Sequence, residues 1–229
     1  MLSAIILAAG RGKRLASSVS KPLVKINNKP LINYSLDVFN RHPAIDEIII
    51  VYGAQNKKQI FKAVNRSSFN KIKGFIAGGR RRQDSVYNGL KIVSEKCDWV
   101  LIHDSARPFI DSVSISKVIR GAGRTGAAIL GVPVKATIKT VISNRLVDKT
   151  VQRRNLWEIQ TPQVFKKVII GEAYKKYLKQ NFTDDASLVE RLGGKVKVIE
   201  GRYENIKVTT RDDLLIARLI AKRLRKNAV

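Results

Sequence analysis

Three short stretches carry residues whose types and spacing suit phosphate and metal chemistry. The first is Gly10-Arg11-Gly12-Lys13-Arg14, followed by a lone Lys21 before Pro22. Glycines let a main chain approach a ligand and offer its N–H groups, and cations supply point charges for anionic oxygens. Arg14 and Lys21 are the candidates for that charge work. The second stretch, Gly78-Gly79-Arg80-Arg81-Arg82, repeats the glycine-plus-cation composition. The third, Asp104-Ser105-Ala106-Arg107-Pro108, presents a carboxylate suited to a divalent cation. Capping of the next turn is the alternative for Asp104. Two familiar phosphate loops are excluded. A P-loop needs four residues between its glycines and then Gly-Lys-Ser/Thr, whereas Gly10 and Gly12 are two apart. The dinucleotide fingerprint needs a third glycine at position 15, which is Leu15. What remains is a nucleotide loop of another kind or a solvated basic loop after a core strand.

Each stretch follows an apolar run of strand length: Leu2–Ala8, Ile72–Ala77 and Trp99–His103. Glu47–Val51, Ala127–Val134 and Val196–Glu200 read as further strands. Helical spacing covers Pro30–His42, with Leu31, Leu36, Val38 and Phe39 as core candidates. It recurs at Lys57–Val64, Asp84–Val93, Ser112–Arg124 and Val168–Leu178. Thr183 or Asp184 caps another helix, and a last one runs from the cap at 210–213 to about Lys226. This alternation predicts an α/β fold: a three-layer, mainly parallel sheet with helices on both faces. Ligands of such sheets bind outside the carboxyl ends of the strands, so the three loops are expected to converge on one edge. Residues 135–151 break the pattern. They alternate, with Ser143-Asn144 between two β-forming runs, and predict a projecting hairpin arm. An arm with few core residues needs something to lie on, and a second subunit is the simplest candidate.

The 229 residues fit one domain, 1–229, and a hydrophobic content of 44% suffices for a core. No apolar run is long enough for a membrane span, and the start of the chain lacks a signal-peptide pattern. The single cysteine, Cys97, reads as a structural thiol, and a cytoplasmic location is expected. A net charge of +26 favours anionic partners: nucleic acid, anionic lipid or polyphosphate. The charge is spread along the chain, although 218–226 is dense, and no aromatic–basic interleaving accompanies it. Specific nucleic-acid binding is therefore not expected, nor is a membrane partner.

The segments LAAGRGKRL…SKP, GGRRRQDSVYNGL, VLIHDSARPFI, RNLWEIQTPQVF, TDDASLVERLGG and EGRYENIKVTTRDDL cover nearly the whole chain. In this order they resemble the 2-C-methyl-D-erythritol 4-phosphate cytidylyltransferase family of the non-mevalonate isoprenoid pathway. The resemblance implies a Rossmann-like nucleotidyltransferase fold. It also implies transfer of CMP from CTP to the phosphate of methylerythritol phosphate, with release of pyrophosphate. Ala8, Ala9, Gly10 and Gly12 then line the nucleotide loop. Gly79, Arg80, Arg82 and Ser85 complete the cytidine and ribose pocket. Arg14 and Lys21 stabilise the transition state, and Asp104 binds magnesium. Arg153 and Lys207 position the substrate phosphate, with Arg107, Thr137 and Thr161 at further substrate-side positions. The family is homodimeric, and its arm completes the partner's site.

The sequence departs from the family at Ser20-Lys21-Pro22, where Pro-Lys-Gln is common, and at Ala136 and Gln152, where acidic residues are usual. Arg80 often has an acidic or polar counterpart. Ribitol 5-phosphate is an alternative substrate, although Asp84-Ser85-Val86 and Ala106-Arg107-Pro108 favour methylerythritol phosphate. KPLVKINNKPLI also resembles the wider sugar nucleotidyltransferases. A basic nucleic-acid-binding protein on a nucleotidyltransferase scaffold is the alternative of another class. For the reaction itself, a phosphate monoester has its second pKa near ~6, so the nucleophile is largely ionised and needs no general base. A chain with only two histidines, His42 and His103, suits that chemistry.

Overall fold

In chain order the elements are β1 (Leu2–Ala8), a small pair β2 (Lys25–Ile26) and β3 (Lys29–Pro30), α1 (Leu31–Arg41), β4 (Glu47–Tyr52), α2 (Lys57–Asn65) and β5 (Ile72–Ala77). Then come α3 (Arg82–Leu90), β6 (Trp99–Asp104), α4 (Ser112–Thr125), β7 (Ala127–Pro133), β8 (Ile138–Val141) and β9 (Val147–Val151). The chain closes with β10 (Trp157–Lys166), α5 (Lys167–Tyr177), α6 (Ala186–Arg191), β11 (Lys197–Glu200) and α7 (Arg211–Lys226). The structure is a computed structural model that describes residues 1–10, 12, 19–65 and 69–226.

Seven strands form one sheet in the order β11-β7-β10-β6-β1-β4-β5. Every neighbouring pair is parallel except the two made by β10, which runs antiparallel to β6 and β7. β1 is buried at every residue because both faces of the sheet are covered. Its even-numbered side chains pack with Ile32, Leu36 and Phe39 of α1, Ile60 of α2 and Val118 of α4. Ile5 and Leu7 face the other way, toward Val86 of α3, Ile170 of α5 and Leu188 of α6. The period of two in the strand thus sorts its residues into two cores. The layout is the expected three-layer α/β fold. α7 builds a third, smaller cluster with Ile26, Leu31 and Phe109.

Several elements differ from the sequence reading. β10 sits at the centre of the sheet, yet Pro162 interrupts its pattern and argues against a central strand. The sheet accommodates the proline at a register shift between Gln160 and Gln163. The β2–β3 hairpin turns on Asn27 and Asn28, both with positive φ, and is too short to show alternation. α3 starts at Arg82, earlier than expected, because Asp84 lies inside the first turn and accepts the Arg81 N–H at 3.0 Å. Among the described residues, strands β8 and β9 pair with each other and with no other strand, as an arm should. Val141, Ile142, Leu146 and Val147 on that arm are each more than half exposed. Among the described residues no helix is long and apolar enough to cross a membrane.

Candidate active site

β1, β5 and β6 end on the same edge of the sheet, and a cleft of about 860 Å³ opens there. Its lining includes Ala9, Gly10 and Lys21 from the first loop and Gly79, Arg80, Arg82 and Ser85 from the second. Asp104 and Lys207 complete it, with Gln55 and Gly53 after β4. A cavity of this size takes a nucleotide-sized ligand. A concavity of similar volume, about 890 Å³, surrounds Cys97, Trp99 and Lys167 at the other end of β6. No glycine-rich loop meets it, so the chemistry belongs to the cleft at the strand carboxyl ends.

Local hydrogen bonds hold the first loop. Asn56, almost fully buried, donates from Nδ2 to the Ala8 carbonyl at 2.9 Å and to Ser20 Oγ at 2.8 Å. Its Oδ1 accepts the Gly53 N–H at 2.8 Å. One side chain therefore pins the end of β1, the return of the loop and the turn after β4. Gly12 has φ +68°, and a Cβ there would lie 3.0 Å from Lys21 Cβ. The loop thus closes residue 12 against residue 21 and sets the start of the Lys21–Leu23 turn. Arg14 lies outside the described residues.

The second loop meets the first through Gly78, where a Cβ would come within 2.7 Å of Ala9 Cβ and of Ser85 Oγ. Ser85 Oγ accepts the Gly79 N–H at 3.1 Å and donates to the Arg81 carbonyl at 3.2 Å. Arg81 lines the cleft too, but its guanidinium is already engaged. It pairs with Asp84 and donates to the carbonyls of Leu178 and Gln180.

Asp104, at the end of β6, is the acidic residue in the lining. Its Oδ1 accepts Arg82 Nε at 3.0 Å and its Oδ2 accepts Lys207 Nζ at 2.6 Å. Burial alone would raise its carboxyl, but these two cations outweigh burial and hold it far below the usual carboxylate range. Burial works against the charge of Arg82 as well, and Asp185 and Asp104 overcome it, leaving the guanidinium above its ordinary value. Lys207 is carried by a loop whose Val208 N–H donates to the Ala106 carbonyl at 2.8 Å. Among the described residues no group of three or more His, Cys, Asp or Glu is placed to hold a metal. The donor set is one ionised carboxylate in a cationic cleft. It fits a magnesium ion, which keeps waters and takes substrate phosphates as ligands.

The structure separates the remaining sequence candidates. Ala8 is buried, with its carbonyl on Asn56. Arg107 and Thr161 do not line the cleft. Arg107 is buried and donates to the carbonyls of Asn205, at 2.7 Å, and Ile159, at 3.1 Å. Thr161 accepts the Asp104 N–H at 3.1 Å and bonds His103 Nδ1 at 3.1 Å. Both support the floor of the site, although Arg107 Nε has no hydrogen-bond partner among the described residues. Thr137 is exposed just before β8. Arg153 stands at the foot of the arm, bonded to the Lys135 carbonyl. Neither reaches the cleft of its own chain. Sequence reasoning missed Asn56, Gln55, Asp185 and Asn205. An isolated Asn or Gln in a loop carries no pattern, and next to Asp185 the sequence suggested only a helix cap, at Thr183 or Asp184. Asp184 does serve that end, accepting the Ser187 N–H at 3.1 Å.

The model of the family described as IspD, 2-C-methyl-D-erythritol 4-phosphate cytidylyltransferase, matches residues 2–223. A protein of that name from Clostridium botulinum is 43% identical over 97% of this chain and 98% of its own length. One from Syntrophus aciditrophicus is 44% identical over 96% and 95%. The crystal structure of 4-diphosphocytidyl-2C-methyl-D-erythritol synthase from Anaerococcus prevotii superposes with a TM-score of 0.85 at 33% identity, over 96% of each chain. That of the Thermus thermophilus cytidylyltransferase gives 0.79 at 26% identity, over 97% of this chain and all of the other. The chain, a Rossmann-like nucleotidyltransferase with this cleft at the carboxyl edge of its sheet, belongs to the 2-C-methyl-D-erythritol 4-phosphate cytidylyltransferase family.

Proposed function

We propose that the chain transfers CMP from CTP to 2-C-methyl-D-erythritol 4-phosphate and releases pyrophosphate. The observation that carries this reading is the meeting of Lys21, Arg82, Asp104 and Lys207 in one cleft beside two glycine-rich loops. Family membership names the two substrates.

The incoming phosphate is an anion that attacks the α-phosphorus of another, so the task is charge neutralisation and alignment. Lys21, together with Arg14, stabilises charge that builds on the α-phosphate and the leaving pyrophosphate. Ala9 and Gly10, with Gly79 across the cleft, offer backbone that a nucleotide can approach closely. Lys207, with its Nζ on Asp104, receives the substrate phosphate, and Arg153 from a second subunit clamps it. Asp104 would hold a magnesium ion together with the triphosphate, and the ion would supply charge neutralisation for the transfer. No residue acts as general base. His103 is fully buried, and burial pushes it down to about 4, so it serves as a neutral structural link.

The same reading treats 1–229 as one nucleotidyltransferase domain with 135–151 as a dimerisation arm. It places the enzyme in the cytoplasm, in keeping with the buried free thiol of Cys97. The test is pyrophosphate release with magnesium and CTP, offering methylerythritol phosphate and ribitol 5-phosphate in parallel. Turnover with the first is expected. Turnover with ribitol 5-phosphate alone would move the substrate assignment and leave the nucleotide chemistry.

A further inference from the structure

Arg82 reaches both ways from its place in the cleft. Nε donates to Asp104 Oδ1 at 3.0 Å, and Nη1 donates to Asp185 Oδ2 at 2.8 Å. The second oxygen of Asp185 accepts the Tyr174 hydroxyl at 2.5 Å. Asp185 and Tyr174 have no exposed surface, and they sit in the core that α5 and α6 share with the sheet. Gln163 of β10 fixes the backbone, with its Oε1 accepting the Asp185 N–H at 3.2 Å. An unbroken line of charge-assisted bonds, Tyr174–Asp185–Arg82–Asp104–Lys207, therefore runs from the core to the floor of the cleft.

Both Asp185 oxygens act as acceptors, which is the bonding of the ionised form. Burying that charge is costly, and burial pushes its carboxyl above the ordinary value. Replacing a buried ion pair with apolar residues of similar volume is often neutral or stabilising, so stability is a poor reason for this one. Its geometry offers a better one. A guanidinium is a rigid planar fork, and engaging two of its edges fixes its plane. Arg82 has one edge on Asp185 and one on Asp104, and Nη2 makes no hydrogen bond among the described residues.

We propose that Asp185, backed by Tyr174, is a positioning residue for nucleotidyl transfer. It holds Arg82 so that Asp104 keeps one carboxylate orientation, with Oδ2 presented to Lys207 and to the reacting phosphates. The proposal rests on the reading that Arg82 and Asp104 work in the catalytic cleft. Without Asp185, Arg82 has Asp104 as its remaining acidic partner. The guanidinium swings onto it with two N–H groups and draws the carboxylate from Lys207. The loss falls on alignment at the reacting centre, while nucleoside contacts at Gly79 and Ser85 remain.

Asp185→Asn keeps the size and removes the charge, and Tyr174→Phe removes only the hydroxyl. Both are measured for kcat, KM for CTP and thermal midpoint, beside Asp104→Asn as a reference. Asp185→Asn is expected to lower kcat by about 10- to 100-fold, the scale of a misplacement of roughly 1 Å, with KM for CTP within about threefold. Tyr174→Phe is expected to lower kcat several-fold with an almost native midpoint. A purely structural role gives the opposite division: a depressed midpoint with kcat per folded site unchanged. Folded Asp185→Asn with kcat within about twofold of the native enzyme overturns the proposal. If that variant does not fold, Tyr174→Phe decides by the same criterion. Full activity of Asp104→Asn removes the cleft assignment and the proposal together, whereas an impaired Asp104→Asn beside an unimpaired Asp185→Asn removes the proposal alone.

Discussion

His103 links the floor of the site to the pH dependence of folding. Its Nε2 lies 3.0 Å from the Arg107 carbonyl, which can only accept, so Nε2 carries the proton. Nδ1 then accepts from the Thr161 hydroxyl, whose oxygen accepts the Asp104 N–H. Protonating Nδ1 breaks this line under Asp104. Burial sets the folded value at about 4, against an unfolded value near 6.5, so between these limits the unfolded chain binds a proton that the native one refuses. Stability is therefore full above pH 6.5 and falls as pH drops toward 4, by roughly 3 kcal/mol at 1.36 kcal/mol per unit. The depressed carboxyl of Asp104 acts lower, losing its contribution below the ordinary carboxylate value. His42, also pushed down by burial, adds slope of the same sign. Urea unfolding at pH 7 and pH 4.5 with chelator present, compared with His103→Gln, isolates the His103 share; equal slopes in both proteins would remove it. At Lys21 the expectation concerns rate: Lys21→Ala lowers kcat by at least ~100-fold, the scale of losing one preorganised donor, and near-normal pyrophosphate release would refute its role. The residues legible in sequence were those in the stretches that follow an apolar run: Lys21, Arg82 and Asp104. Asp185 and Asn56 were not, because each is defined by a partner far along the chain, 103 and 48 positions away. Arg107 shows the converse. A cation in a motif looks the same whether it faces a ligand or, as here, two carbonyls.

Elements were legible where a period was long enough to count. β1, β5 and α4 begin where their patterns begin, and Asp111 caps α4 by accepting the Ser114 N–H at 2.8 Å. β10 was not legible, since its proline argues against the central place that the β6 and β7 pairings give it. The cap of α7 was, and it ties an element to the site. Asp213 Oδ2 accepts the N–H groups of Thr209 and Thr210, at 2.7 and 2.8 Å, and the Thr209 hydroxyl. Thr210 Oγ1 returns the favour to the Asp213 N–H at 3.2 Å, a reciprocal cap. Lys207 stands just before this knot. Asp213→Ala is thus expected to cost about 1–2 kcal/mol in unfolding free energy and to raise KM for methylerythritol phosphate, because the segment carrying Lys207 loses its anchor. A stability loss with KM unchanged would show that the Ala106 contact alone holds Lys207.

At the scale of the molecule, the arm is the part that the chain alone leaves unexplained. Val141, Ile142, Leu146 and Val147 are more than half exposed, and burying such side chains is worth roughly 1.5–3 kcal/mol each. Thr137 and Arg153 belong to this arm and its foot, away from the lining of their own cleft. Both facts fit a homodimer in which each arm lies over the partner and lends it Arg153. A symmetric pair with shared sites makes a sharp demand on mixtures. Arg153→Ala damages the site of the partner, whereas Lys207→Ala damages the site of its own subunit. In a mixed dimer one site then receives both lesions and the other receives none. Each variant alone is expected to lose at least about tenfold in activity, since truncating a charge that holds a phosphate costs on the order of 2 kcal/mol or more. After subunit exchange half the dimers are mixed, so about a quarter of native activity should return. Recovery near that level, rising and falling with the ratio of the two variants, is the expected result. If mixing restores nothing while light scattering shows that subunits exchange, each Arg153 serves its own cleft, and the arm joins the two subunits without completing the partner's chemistry.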